Sequence, residues 1–341
     1  MKNIISILFI LAGIFPVFAS AGNKTEDNNY NEKKAVIAYV TSWSNVIPDP
    51  THLTHINYAF GHVNETFDGV RIDNEPRLKQ LVNLKKQKPS LKVILSIGGW
   101  ESGRFSEMAA GKSYREAFAR DCQRVVEEFG LDGIDIDWEY PTSNMAGISA
   151  SPADKDNFTL LMKDIRKQIG NDKLLTLASS ADAQYIDFRG IDPYIDFVNI
   201  MAYDMGNPPH HHSGLYRSEH TGRISVDEAV KAHINAGIVP EKLVMGIPFY
   251  GRGNEKIKDF NNYKQIITLN GFQKNWDDIA KAPYLTDENN EYVCGYDDPV
   301  SIGIKCKYIL ENGLLGAMYW DYNGDDDERT LSKAVYNGLN K

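Results

Sequence analysis

DGIDIDWEYP, residues 132–141, sets Asp135, Asp137 and Glu139 at a strict spacing of two, interleaved with Ile134, Ile136 and Trp138. A spacing of two is the period of a β-strand, whose side chains alternate between two faces, so the three acids share one face and the apolar residues the other. Acids about 6–7 Å apart along a strand cannot all ionise freely in a partly dry place. The set is expected to titrate as a coupled unit with at least one pKa raised, which suits a general acid at neutral pH.

Outward from this stretch, short apolar or β-branched runs recur: Ala35–Val40, His55–Phe60, Lys92–Ile97, Gly133–Trp138, Leu174–Ala178, Phe197–Met201, Leu243–Ile247 and Gly316–Trp320. Amphipathic stretches separate many of them. Phe118, Cys122, Val125, Val126 and Phe129 repeat at helical spacing, as do Phe158, Leu161, Met162, Ile165 and Ile169. Ser151-Pro152 is expected to open the second of these helices and Gly170 to close it. Val226–Ile234 ends at Gly237, and Pro299–Leu310 ends near Gly313. Eight such strands with helical crossovers predict an α/β fold, a TIM (β/α)8 barrel, with the acids pointing into the barrel at its C-terminal mouth. An open doubly wound sheet is disfavoured, because Tyr39-Val40-Thr41-Ser42-Trp43 stands where a glycine-rich phosphate turn would follow the first strand. The connection from about 252 to 298 is too long for a simple βα loop. It reads as a small α+β insertion after strand seven.

Composition narrows the function. The chain has 341 residues, 42% hydrophobic and 24% charged, with 37 basic and 46 acidic residues for a net charge of −9. No stripe of Lys and Arg suits a phosphate backbone, so nucleic acid is excluded as a partner. Residues 1–21 read as a signal peptide: Lys2, an apolar run from Ile4 to Phe18 interrupted by Pro16, then small residues at Ala19-Ser20-Ala21. Residues 22–34 are polar and read as a flexible leader, which leaves 35–341 as the catalytic barrel of a secreted, extracellular or periplasmic, monomer with no membrane segment after processing. Of three cysteines, Cys294 and Cys306 are near enough in sequence to pair, but Cys122 and Cys306 lie on apolar helical faces, where buried thiols are the commoner state.

No metal is expected at the acids. An EF-hand loop counted from Asp135 needs glycine where Tyr140 stands, and matching acids are missing from the ends of strands five and seven. His210-His211-His212 reads as a solvated loop near the cleft rather than a metal tract, and His233 as a surface or half-buried helical residue. Tyr39, Phe60 and Trp100, at strand ends, and Trp43 and Trp276, in loops, are aromatics suited to sugar faces, although Trp276 suits the insertion's own core equally well.

At this point the chain resembles glycoside hydrolase family 18, the chitinases and their relatives. The resemblance is carried by Asp132, Asp135, Asp137 and Glu139. It extends through Ser96-Ile97-Gly98-Gly99-Trp100, Met201-Ala202-Tyr203-Asp204, Gly246-Ile247-Pro248-Phe249-Tyr250-Gly251-Arg252, Tyr296-Asp297-Asp298 and Trp320, over about residues 35–325. It implies hydrolysis of β-1,4-linked N-acetylglucosamine chains with retention and without a cofactor, the substrate's own acetamido oxygen attacking the anomeric carbon. Glu139 would be the general acid, Asp137 would accept the acetamido N–H, Asp135 would share a proton with it, and Tyr203 would hold the acetamido oxygen. Trp320 would floor the site with Met201 and Asp204 beside it. Trp100, Tyr140, Tyr250, Arg252, Phe60 and Tyr39 would complete substrate binding. The same resemblance leaves open N-glycans or peptidoglycan as substrate, and a non-catalytic chitin-binding lectin, although such lectins usually lack the acid that Glu139 supplies.

Overall fold

The computed structural model describes residues 34–340; the expected signal peptide and all of the leader but Lys34 lie outside them. The eight barrel strands are β1 (Ala35–Thr41), β2 (His55–Val63), β3 (Lys92–Gly98), β4 (Gly133–Asp137), β5 (Leu174–Ser180), β6 (Phe197–Met201), β7 (Leu243–Pro248) and β8 (Gly316–Trp320). All pair in parallel with their neighbours in chain order, and β8 closes on β1 with Ala35 opposite Gly316. This is a closed (β/α)8 barrel. Helices Lys112–Phe129, Asp154–Ile169, Val226–Ala236 and Pro299–Glu311 follow the periodicities expected of them.

Each strand divides its residues as the two-residue period requires. Val36, Ala38, Val40, Ile56, Tyr58, Leu95, Ile134 and Ile136 face outward into the main core beneath the helices. Ala35, Ile37, Tyr39, Phe197, Val244 and Met318 face inward and pack on one another. The barrel interior also holds buried Asn57, Ser96, Asp135, Thr176 and Asn199. An apolar plug thus shares the barrel with a polar stack, and burying polar groups there is tolerable only if they find partners.

Two local features depart from the sequence reading. The helix expected to open at Ser151-Pro152 begins at Asp154, with Ala153 as its N-cap. The reason is Asp154 itself: fully buried, its carboxylate accepts from Ser151 N at 2.7 Å, Thr142 N at 3.2 Å and Ser106 Oγ at 2.7 Å, tying the loop after β4 to the helix start. His233 is not at the surface but wholly buried. Its ring nitrogens meet Ala229 O at 2.8 Å and Ser179 Oγ at 2.9 Å, and burial pushes its pKa down to about 4.

After β7 the chain enters a separate five-stranded antiparallel sheet in the order Asn261–Asn262, Tyr250–Gly253, Tyr292–Gly295, Ala282–Thr286, Gln273–Asp277, with the short helix Tyr263–Ile266. Trp276 lies on its last strand rather than in a loop. Cys122, Cys294 and Cys306 are all buried and no disulfide joins them. Among the described residues no helix is long and apolar enough to cross a membrane.

Behind the mouth, Lys305 and Asp297 form a fully buried ion pair at 2.7 Å. Lys305 Nζ also donates to Ser213 Oγ at 2.8 Å, and Ser213 Oγ donates to the Ala202 carbonyl at 2.9 Å, one residue before Tyr203. Removing one partner of such a pair strands a buried charge, so Lys305→Ala is expected to cost about 3–5 kcal/mol. Urea unfolding at pH 7 measures it; a loss under about 1 kcal/mol would show that Asp297 finds water or another donor.

Candidate active site

The ladder begins where β4 leaves the barrel core. Asp135 is fully buried and accepts four hydrogen bonds: from Tyr39 Oη at 2.9 Å and Ser96 Oγ at 2.8 Å on one oxygen, and from Thr176 Oγ1 at 2.6 Å and Asn199 Nδ2 at 3.2 Å on the other. Burial raises its pKa while these donors oppose the rise. The net effect leaves Asp135 above the usual carboxylate value even with four donors upon it. Asp137 Oδ1 is buried with no hydrogen-bond partner. Burial, then the charges of Glu139 and Asp135, push Asp137 well above the usual carboxylate range.

Glu139, half-buried at the mouth, has its pKa raised to about 7, chiefly by burial, with the Asp204 charge adding to the rise. Its neighbour Tyr140 stacks on Tyr185, ring centroids 4.7 Å apart and nearly parallel. Glycines make room for this arrangement. Gly98 takes φ +131°, and a Cβ there would stand 1.9 Å from the Asp137 carbonyl; Gly99 donates its N–H to that carbonyl at 2.8 Å, and a Cβ on it would meet the Phe60 ring at 2.6 Å. On the far side, a Cβ on Gly246 would lie 2.9 Å from the Tyr203 ring. These close approaches explain why glycines occupy those positions.

Aromatic rings floor the mouth. Trp320 stacks on Phe60 at 5.6 Å and 22°, tilts against Tyr39 at 5.8 Å, and has Trp43 at 6.4 Å. Met201, Tyr203 and Trp320 are partly buried against the same inward cluster. Tyr39, expected to offer its face to sugar, is instead buried, with its hydroxyl committed to Asp135. Trp43 and Trp100 stand out at 64% and 52% exposure.

The opposite wall comes from β6 and β7. Asp204 accepts from Arg252 Nη1 at 2.9 Å and lies 3.5 Å from His212 Nδ1; although desolvation opposes them, these partners hold its carboxyl below the usual range. Tyr250 is buried between Tyr203, His212 and Phe260. The histidine tract is therefore not a solvated loop. His211 and His212 are buried: His211 is held by Asp277 at 3.1 Å and Tyr292 Oη at 3.0 Å, and His212 lies against Asp204 and Tyr250. Asp277, 66 positions from His211 and invisible to a search for local ligand spacing, draws in the first, and nearby Asp204 the second.

Sequence reasoning missed Ser96 in this role, and with it Thr176, Asn199, Tyr185, His212 and Phe260. The first three carried a usable signal, since polar residues at inward parity on barrel strands need a buried partner. Among the described residues, no cluster of His, Cys, Asp and Glu is arranged to hold a metal ion.

A closed α/β barrel with three acids rising along β4 to an aromatic-floored mouth defines a glycosidase-like site. The sequence pattern of Glycosyl hydrolases family 18 matches residues 35–325, and the chain belongs to that family. It is 30% identical to Chitinase A1 of Niallia circulans, over 97% of this chain and 62% of that protein, so it spans less than two thirds of that relative. It is 29% identical to Chitotriosidase-1 of Mus musculus, over 85% of this chain and 73% of that protein. Among solved structures, a glycoside hydrolase family 18 N-acetylglucosaminidase from Paenibacillus barengoltzii shares 37% identity with a TM-score of 0.81, covering 90% of this chain and 100% of that one. The Ostrinia furnacalis Group IV chitinase shares 26% identity with a TM-score of 0.81, covering 91% of this chain and 100% of that one.

A carboxyl whose pKa is higher folded than unfolded binds its proton more tightly in the native state. Its contribution to stability is complete at acid pH and is lost as pH rises from about 4.5 through about 7. Glu139→Gln removes that loss. The variant is therefore expected to melt a few degrees above wild type at pH 8, with the gap closing toward pH 5; a gap independent of pH would place the proton elsewhere.

Proposed function

We propose that this protein is a secreted chitinase: a hydrolase of β-1,4-linked N-acetylglucosamine chains acting by a retaining, substrate-assisted mechanism. The observation that carries this reading is the ladder itself, in which Glu139 keeps its proton near neutral pH above an unpartnered Asp137 oxygen and an Asp135 held by four hydrogen bonds. The chitinases and the N-acetylglucosaminidase among its relatives support the substrate class. The apolar run of residues 4–18 supports export.

In this mechanism the sugar at the cleavage site lies on Trp320. Its acetamido N–H donates to the free Asp137 Oδ1, which turns the acetamido carbonyl oxygen toward the anomeric carbon, and the Tyr203 hydroxyl steadies that group. Glu139 gives its proton to the glycosidic oxygen as that bond breaks, while the acetamido oxygen bonds to the anomeric carbon from the other face and forms an oxazolinium ion. Asp137 holds the acetamido N–H in place, and the acids of the ladder beneath offset the positive charge of the ion. Water then attacks the anomeric carbon, giving its proton to Glu139, and the ring opens back to the acetamide. Two inversions give net retention.

Two outcomes test this reading. Glu139→Gln should lower kcat on N-acetylchito-oligosaccharides by two or more orders of magnitude. Wild type that binds these sugars without cleaving them would instead be a lectin; wild type that neither binds nor cleaves them would direct the search to N-glycans or peptidoglycan. The Asp204 charge helps hold the proton on Glu139, so Asp204→Asn should move the alkaline limb of the kcat profile, which falls as Glu139 ionises near pH 7, to lower pH. An unmoved limb would detach Asp204 from the acid.

A further inference from the structure

Phe260 is an exposed ring that the fold does not need and yet holds in place. It is 54% exposed and takes a left-handed backbone, φ +52°, which is unfavourable for an aromatic residue. Its backbone N–H donates to Asp259 Oδ1 at 3.0 Å. One face of the ring carries the Arg252 guanidinium 4.1 Å from its centroid, and its neighbour Tyr250 stacks at 5.5 Å and 29°. Arg252 in turn is fixed by Asp259 through Nε at 2.7 Å and Nη2 at 2.8 Å, and by Asp204 through Nη1. The platform is therefore rigid before any ligand arrives. A groove of roughly 500 Å³ adjoins it, lined by Asp204, Arg252, Asn207, Thr221 and Arg223, whose polar groups suit hydroxyls and acetamides.

β3 and β7 lie four strands apart in the closed barrel of eight, so Trp100, just past β3, and Phe260, on the insertion after β7, stand on opposite sides of the mouth. A chain held over Trp320 that passes the Asp204–Arg252 pair reaches Phe260 next. We propose that Phe260 is a specificity-determining residue: a stacking platform for an N-acetylhexosamine ring outside the cleavage site, which lets the protein discriminate longer oligosaccharides from short ones. This rests on the sugar substrate proposed above.

The test uses the full protein with Glu139→Gln to prevent cleavage, titrated calorimetrically with N-acetylchito-oligosaccharides of two to six units. Adding Phe260→Ala is expected to raise Kd about five- to tenfold for the longer sugars and leave the disaccharide unchanged, with Phe260→Trp restoring or tightening the binding. Melting temperatures of all variants should agree, since an exposed ring contributes little to the core. Parent binding that is indifferent to Phe260 at every length overturns the platform alone. Weakening that is equal at every length also overturns it, because it marks a general distortion of the mouth. A parent that binds none of these sugars overturns the proposed substrate together with the platform.

Discussion

The carboxylate of Asp135 and the four donors that converge on it constrain everything built above them. The donors come from β1, β3, β5 and β6, so a single buried charge is satisfied only when strands distant in sequence have taken their places in one closed barrel. Left unpaired in the apolar interior, that charge would be costly; paired, it becomes a fixed negative centre under the mouth. Asp137 then sits desolvated between Glu139 and Asp135 and resists losing its own proton. Glu139, one step higher and also desolvated, keeps its proton to about pH 7. The chemistry at the rim follows from the satisfaction of one group at the bottom.

Much of this was legible in the sequence because both signals obey short periods. A spacing of two put Asp135, Asp137 and Glu139 on one face and Ile134 and Ile136 on the other, and all eight strand runs became barrel strands at the expected places. Helix ends marked by Gly237 and by Gly313 were equally local. What stayed hidden was long-range. His211 looks like solvated loop until Asp277 and Tyr292 arrive from distant parts of the chain, and the Asp154 carboxylate sets its helix start through residues 142 and 106. Tyr39 reads as a sugar platform by type, but its hydroxyl lies within reach of Asp135 only once β1 and β4 share a barrel.

The loop after β6 shows how the two walls of the mouth are tied. His211 is pinned to the insertion sheet through Asp277 and Tyr292, His212 lies against Asp204 and Tyr250, and Ser213 links the buried Lys305–Asp297 pair to the carbonyl before Tyr203. Three consecutive residues thus bind three different parts of the structure, which fixes Tyr203 and Asp204 relative to the aromatic floor. Preorganisation of this kind leaves little to be rearranged when a substrate binds.

The insertion hydrogen-bonds as its own antiparallel sheet and joins the barrel sheet by covalent continuation of β7 rather than by shared ladder bonds. Acid chemistry is written on strands whose every residue is committed to barrel closure, while the wall carrying Phe260 belongs to a module with its own internal ladder. Evolution, or an engineer, is free to vary that module beyond Arg252 and so alter which polymer lengths the cleft grips, while Asp135 and its four barrel donors stay intact.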